Sequence, residues 1–141
     1  MLNSGANPEQ AVHPLILILA GYDLVRESLR DWLSTELPSC RCIAASTDEK
    51  ALATACAEGP DMTVMELDVP NLEGAKILRA VRLACPGSDL LVLSDHAEEI
   101  KRICAETAGP IVPICRARID AELPSLIETA LRDRRSRGGG R

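Results

Sequence analysis

Three side chains that could do chemistry stand at the ends of apolar runs in this sequence. They are the carboxylate of Glu66, the hydroxyl of Ser94 and the guanidinium of Arg116. Sites in open parallel sheets form where the strands reach their carboxyl ends, so we expect the three groups to share one edge of a sheet. An ionised Glu66 can pair there with Arg116 and accept a hydrogen bond from Ser94. The sequence therefore predicts a small polar centre built around one carboxylate.

The apolar runs themselves predict the sheet. Unbroken apolar runs are typical of strands that are buried on both faces, as in a parallel sheet covered by helices. Segments with apolar residues at helical spacing fill the gaps between the runs. The runs cover residues 15–19, 62–67, 90–93 and 111–115, with a weaker edge-strand candidate at 42–45.

Five strand–helix units in succession predict an α/β fold with right-handed crossovers. We expect a flavodoxin-like, doubly wound (βα)5 three-layer sandwich with the parallel sheet order 2-1-3-4-5. Pro113 favours this order, because a proline without an N–H is tolerated in an edge strand. Helix N-caps are predicted at Asp23, at Ser46 with Glu49 as its capping-box partner, and at Asp120.

The length of 141 residues and an apolar content of 46% fit a single domain with one core. We expect this domain to cover residues 13–135, between a flexible N-terminus at 1–12 and a flexible tail or linker at 136–141 that is rich in Arg and Gly. No apolar run approaches the ~18 residues that a membrane span needs. No basic segment precedes the first apolar run, so a signal peptide is not expected and a cytoplasmic location is.

The charge is unevenly distributed along the chain. The net charge is -5, but residues 132–141 carry +4 and the remainder -9. An acidic domain argues against a general nucleic-acid surface. The basic tail leaves two alternatives open, namely weak contact with phosphates and a solvated linker.

Six cysteines stand at positions 40, 42, 56, 85, 104 and 115. Disulfides are uncommon in cytosolic proteins, so we expect no bridge and interpret these residues as small buried hydrophobes. Cys40 and Cys42 lie on one face of a strand, but no second close pair and no neighbouring His completes a zinc site. No metal is expected at these cysteines.

The same segments resemble response-regulator receiver domains of two-component, or phosphorelay, signal transduction. Residues 17–27 match the family's first strand and helix start, and 91–94 match the strand that ends in its switch hydroxyl, here Ser94. Residues 61–74 match the phosphoacceptor segment, in which the loop residues are Asp68, Pro70 and Gly74. The resemblance covers residues 13–135 and implies a signalling domain that is not an enzyme.

Departures from the family pattern fall on its chemical residues. Ala20 and Gly21 stand where the family has an acidic pair that holds Mg²⁺, and Glu66 replaces the phosphoacceptor Asp. Arg116 is the nearest match to the Lys that contacts the phosphoryl group, and Pro113 stands in place of the aromatic switch residue. The resemblance therefore implies an atypical receiver, or pseudo-receiver.

These departures have physical consequences. Mg²⁺ requires carboxylate oxygens, so binding of this cofactor is expected to be lost or weak. A Glu carboxylate displaced by ~1.5 Å loses the in-line alignment that phosphoryl transfer needs. Asp23 is better explained as a helix cap and Asp68 is expected to point elsewhere. Three interpretations stay open: a domain fixed in one state that mimics phosphorylation, an inert pocket used only for interactions, and residual phosphorylation.

A plainer interpretation of each residue also stands. Glu66 can be a surface carboxylate, Ser94 a helix cap and Arg116 a solvated base. A small enzyme or cofactor binder on a flavodoxin-like fold is a further alternative, although Gly21 alone does not make a dinucleotide-binding turn.

The expected partners are proteins, either a sensor kinase or an effector domain. By resemblance, a homodimer would use the face of the fourth helix, fifth strand and fifth helix, which draws on residues 97–107, 111–115 and 121–131. A further alternative is the receiver part of a transcriptional regulator whose DNA-binding domain lies outside these residues.

Overall fold

The sequence folds into alternating strands and helices. The structure, a computed structural model, describes residues 13–66, 72–95, 98, 101–102 and 111–138. The strands are β1 (Leu15–Leu19), β2 (Arg41–Ala45), β3 (Met62–Glu66), β4 (Asp89–Ser94) and β5 (Ile111–Cys115). The helices are α1 (Asp23–Glu36), α2 (Glu49–Cys56), α3 (Leu72–Ala84) and α4 (Ile119–Gly138), the last preceded by a short 3₁₀ turn, Arg116–Arg118.

All five strands form one parallel sheet in the order β2-β1-β3-β4-β5. This is the predicted order 2-1-3-4-5. Between β4 and β5 only Asp95, Glu98, Lys101 and Arg102 are described, and the last three are helical. The fourth helix of the predicted (βα)5 arrangement otherwise lies outside the described residues, and the fifth is α4.

Helices cover both faces of the sheet, because the strands alternate apolar side chains between two cores. One core joins β1, β3 and β4 to α2 and α3 through residues such as Leu19, Met65 and Leu78. The other joins the opposite strand faces to α1 and α4 through residues such as Ile18, Leu33 and Ile127. Burial on both faces explains why β1, β3 and β4 are continuous apolar runs in the sequence.

The two edge strands are β2, which has the weaker sequence pattern, and β5, which contains a proline. β2 is only partly buried along most of its length. At the other edge β5 contains Pro113, which lies opposite Val92 of β4. An edge position leaves one side of the strand without a partner strand, so the missing N–H of proline does not break a central ladder.

Two local predictions were wrong. Gly74 was predicted in a loop but lies within α3, which begins at Leu72. The tail was predicted to begin at 136, but α4 continues through Gly138, because the helical pattern extends past the last apolar residue. Residues 1–12 and 139–141 lie outside the described residues.

Helix starts also differ from the predictions. The cap position of α1 is Tyr22, so Asp23 is its first helical residue and does not serve as the cap. The cap of α2 is Asp48, whose Oδ2 accepts a hydrogen bond from the Ala51 N–H at 3.3 Å. α4 begins at Ile119, and Asp120 lies in its first turn.

The prediction that no disulfide forms was also wrong. Cys56 and Cys85 are bonded, with their Cα atoms 5.6 Å apart. Cys56 is the last residue of α2 and Cys85 directly follows α3, so adjacent packing of the two helices brings together cysteines that are 29 residues apart. Gly59, with φ of 72°, turns the chain away just after Cys56.

Asp61 organises the amino edge of the sheet. Its backbone N–H donates to the Leu15 carbonyl at 2.9 Å, and its Oδ2 accepts from the Leu15 N–H at 2.9 Å. Its carbonyl accepts from the Asp89 N–H at 3.2 Å. Its Oδ1 lies 3.5 Å from the Arg134 Nε. The backbone and the carboxylate of this one residue thus join β1, β4 and α4 to the start of β3.

None of the described helices combines the length and apolar character that crossing a bilayer requires.

Candidate functional site

The carboxyl edge of the sheet brings the candidate residues together. Leu19 lies opposite Met65, so Ala20 follows β1 at the level of Glu66 at the end of β3. Glu66 lies opposite Leu93, and Ser94 ends β4 one position further on. The parallel register therefore places Ala20, Glu66 and Ser94 on one edge, as the sequence predicted.

Glu66 is buried in the protein. Only 7% of it is exposed, so its interpretation as a surface carboxylate is wrong. Alternation along β3 puts Glu66 on the same side as Met62 and Val64, which pack against α1 and α4. The chain thus directs this carboxylate towards the α1 side of the sheet.

A cavity of about 380 Å³ lies on that side of Glu66. Its other walls come from the first turns of α1, the end of β4 and the start of α4. They are Leu24, Val25, Ser28, Leu29, Leu93 and Ile119. The carboxylate therefore borders a mainly apolar space, where water screens its charge less than at an open loop.

Ser94 is 1% exposed and, by alternation, belongs with Leu90 and Val92 on the α2 and α3 side of the sheet. Strand alternation thus sends Glu66 and Ser94 towards opposite faces from neighbouring strands. The predicted hydrogen bond between them stays a prediction.

The structure describes the other predicted site residues only in part. The backbone of Arg116 begins the 3₁₀ turn after β5, at the same edge, but its side chain lies outside the described residues. Asp68 and Pro70 also lie outside them. The predicted pairing of Glu66 with Arg116 therefore stays a prediction.

Arg26 is a site residue that the sequence reasoning missed. Its Nη1 donates to the Ala20 carbonyl at 2.9 Å, and its Nη2 pairs with the Asp23 carboxylate. Its side chain is only 14% exposed. The sequence signal was an Arg three residues after Asp23, a spacing at which helical side chains meet. A fixed positive charge thus stands beside the end of β1.

Mg²⁺ does not fit the described part of this edge. The family resemblance implies two acidic side chains after β1, but Ala20 is buried and supplies only a methyl group. Gly21 has no side chain, and the guanidinium of Arg26 already binds the Ala20 carbonyl. The Ala20 carbonyl, one residue after β1, already accepts from this guanidinium and is therefore less available as a ligand for a divalent cation.

The described residues contain no group of three or more His, Cys, Asp or Glu side chains arranged to hold a metal ion. Cys40 and Cys42 are free thiols. Burial raises the pKa of both thiols above the ordinary value of 9.0. Neutral thiols are poor metal ligands, because the thiolate is the form that binds.

Comparison with known protein sequences shows similarity over part of the chain. No family model matches the chain. The transcriptional activator protein ExaE from Pseudomonas putida is 28% identical over 83 residues, which are 59% of this chain and 39% of that protein. The chain thus spans well under half the length of this relative.

Solved structures with the same architecture are receiver-containing proteins. A two-component response regulator of the LuxR family from an Aurantimonas species is 24% identical, with a TM-score of 0.69 over 86% of each chain. A response regulator from Thermotoga maritima is 16% identical, with a TM-score of 0.65 over 85% of this chain and 98% of its own. The beryllofluoride-activated NtrC receiver domain is 18% identical, with a TM-score of 0.57 over 86% of this chain and 96% of its own. The chain therefore has the fold of a response-regulator receiver domain.

Proposed function

We propose that this protein is an atypical receiver domain in two-component signalling that acts through protein–protein interaction without Mg²⁺-dependent phosphorylation of Glu66. The observation that carries the proposal is the Arg26 guanidinium bound to the Ala20 carbonyl, where the family resemblance implies a metal-binding acidic pair. Receiver domains are signalling domains rather than enzymes, and the proposal assigns no catalytic residue to this chain.

The position of Glu66 supports the loss of phosphoryl transfer. A nucleophile must approach the phosphoryl group in line, and the metal must neutralise the developing charge. Glu66 is nearly buried and borders an apolar cavity, which restricts the approach of a charged phosphodonor. Ala20, Gly21 and Arg26 thus weaken metal binding, and the burial of Glu66 weakens the in-line approach of the phosphoryl group.

The partners and location are also proposals. We propose a sensor kinase or an effector domain as the partner class and the cytoplasm as the location. The resemblance to part of a transcriptional activator favours a second arrangement, in which this chain is the receiver part of a regulator with a DNA-binding domain elsewhere. Nucleic acid contact by these residues would then be limited to weak binding by the basic tail.

Dimerisation would use the face suggested by the resemblance. Of that face, Val112 on the edge strand β5 is 43% exposed, and the outward residues of α4 include Ser125 and Thr129. Sedimentation velocity over a range of concentrations tests this proposal, with a shift towards dimer expected as concentration rises. A strict monomer at high concentration contradicts it.

Phosphorylation can be tested directly. The protein is incubated with acetyl phosphate and Mg²⁺, and its intact mass is measured, with a typical receiver domain as the check on the phosphodonor. We expect no phosphoryl adduct on this chain. A stable adduct that maps to Glu66 overturns the proposal.

A matched variant restores the residues that the resemblance implies. It combines Ala20→Asp, Gly21→Asp and Glu66→Asp in the same chain. A phosphoryl adduct on this variant, with none on the parent, is the expected result. It would assign the loss of reactivity to these three positions rather than to the rest of the fold.

A further inference from the structure

The Cys56–Cys85 bond joins two helices on one face of the sheet. Cys56 ends α2, and Cys85 follows the last residue of α3. Their Cα separation of 5.6 Å is the usual one for a bonded pair. The packing of α2 beside α3 therefore already presents the two sulfurs to each other.

The surroundings of both cysteines can also accommodate the reduced thiol side chains. Cys85 is 6% exposed and belongs to the same apolar core as Leu52 and Val81, and Cys56 packs against that core while partly exposed. A reduced cysteine behaves as a small hydrophobe in such a place. Breaking the bond therefore leaves two side chains that still fit the core.

Two further cysteines whose side chains the structure describes differ from this pair. Cys40 and Cys42 are free and pack against the opposite core, on the α1 and α4 side. They have no bonded partner among the described residues and lie on the other face of the sheet. They provide an internal comparison for any thiol chemistry at Cys56 and Cys85.

The bond lies at the far end of the helix that follows the candidate site. β3 ends at Glu66, and α3 begins at Leu72 and runs to Ala84, one residue before the bonded sulfur. Fixing the C-terminal end of α3 to α2 therefore constrains the helix whose other end follows the carboxylate. Oxidation of Cys56 and Cys85 therefore acts directly on α3, because Cys85 is bonded to the last residue of that helix.

We propose that Cys56 and Cys85 form a reversible oxidation site that exchanges with glutathione-type thiols and disulfides and thereby tethers α3 to α2. In the reducing compartment proposed above, disulfides are transient or regulatory rather than permanent. The site goes beyond the proposed receiver function, because it gives the domain an input that needs neither a phosphodonor nor Mg²⁺.

The exchange balances in two steps. A glutathione thiolate attacks the more accessible sulfur, that of Cys56, which forms a mixed disulfide and releases Cys85 as a thiolate that takes up a proton. A second glutathione thiolate attacks the mixed disulfide and releases Cys56 together with glutathione disulfide. Two electrons pass from two glutathione molecules to the protein, and the reverse sequence reforms the bond.

Equilibration with glutathione tests the proposal. The full chain is held in buffers that range from equal parts to a roughly thousandfold excess of reduced over oxidised glutathione, which covers reducing and oxidising compartments. Acid quenching, alkylation and peptide mass spectrometry then measure the bonded fraction. We expect a single two-electron transition at Cys56–Cys85 within this range, while Cys40 and Cys42 are alkylated throughout.

Two results overturn the proposal. A bond that stays intact in the largest excess of reduced glutathione is structural, and a pair that stays reduced in equal parts is no oxidation site. The variant Cys40→Ser/Cys42→Ser should keep the transition, whereas Cys56→Ser should abolish it. Neither result depends on whether Glu66 accepts a phosphoryl group.

Hydrogen exchange measures the effect on α3. Peptides from residues 72–84 should exchange more slowly in the oxidised protein than in the reduced protein, and peptides from α1 should exchange equally in both. Equal exchange of α3 in the two states overturns the proposed tether.

Discussion

Arg26 shows how a single residue can change the chemistry of a shared fold. The end of β1 keeps a backbone carbonyl in place, but the side chains that would bring a metal to it are absent at Ala20 and Gly21. The guanidinium satisfies that carbonyl and is itself held by Asp23. The Arg26 guanidinium on α1 thus lies beside the edge at which the family resemblance implies a bound Mg²⁺.

Sequence reasoning found some of the residues at this edge of the sheet and missed others. Glu66 and Ser94 could be placed at the edge because each ends an apolar run, and strand ends are readable from sequence. Arg26 was missed because its role depends on the direction in which α1 leaves β1. The cavity beside Glu66 could not be predicted either, since it arises from the spacing between α1, β4 and α4.

Asp61 carries the first prediction at the scale of one residue. Asp61→Ala removes the acceptor of the buried Leu15 N–H and the partner of Arg134. Leaving a buried donor without its acceptor costs about 1–3 kcal/mol of unfolding free energy. Urea denaturation of parent and variant measures the loss.

The matched control is Asp31→Ala on the exposed face of α1. Asp31 makes one long ion-pair contact, 3.9 Å from Arg30, and is mostly in solvent. Exposed pairs contribute little, so the expected change is within about 0.5 kcal/mol. An equal loss in the two variants would show that the Asp61 carboxylate does not help to hold the amino edge together.

At the scale of elements, strands were more predictable than helix ends. Unbroken apolar runs predicted four strands to within about one residue, and the weaker candidate at 42–45 predicted β2 equally well. Helix starts shifted because polar candidates for the cap stand close together in the sequence. Ser46 and Asp48 illustrate the case, since both can accept a backbone hydrogen bond.

The cap of α2 gives the second prediction. α2 has only eight residues, so its first turn is a large part of its hydrogen bonding. Asp48→Ala removes the acceptor for the Ala51 N–H, and the unfolding free energy should fall by about 0.5–2 kcal/mol. Urea denaturation measures it.

Ser46→Ala is the control for this cap. The Ser46 hydroxyl accepts from the Asp48 N–H at 3.3 Å, whereas the N–H of Ala51 within the helix donates to Asp48. Its loss should cost clearly less than that of Asp48. The reverse order would restore the sequence-based assignment of Ser46 as the cap.

At the scale of the whole molecule, the sheet order followed from alternation and from the place of Pro113. The disulfide did not, because the expected compartment argued against it and no sequence rule pairs cysteines 29 residues apart. The pairing depends on two helices that share one face of the sheet. Predicting the disulfide would therefore have required knowing that α2 and α3 lie on the same face of the sheet.

The disulfide also makes the final prediction, which concerns the stability of the entire domain. The bond closes a loop of chain, 56–85, that contains both β3 and α3. Closing a loop of this length removes freedom from the unfolded chain and stabilises the folded state by about 3–4 kcal/mol in the chain-entropy model. Reduction should therefore lower the unfolding free energy by that amount while the protein stays folded, because both thiols fit the core.

Urea denaturation with and without a phosphine reductant measures this difference. The variant Cys40→Ser/Cys42→Ser should show the same dependence on reductant, whereas Cys56→Ser/Cys85→Ser should show none. The slope of free energy against urea should also rise on reduction, because an unfolded chain without the closed loop exposes more surface. Identical midpoints and slopes in both redox states would mean that the bond does not limit the unfolded chain, and the entropic account of its effect would fail.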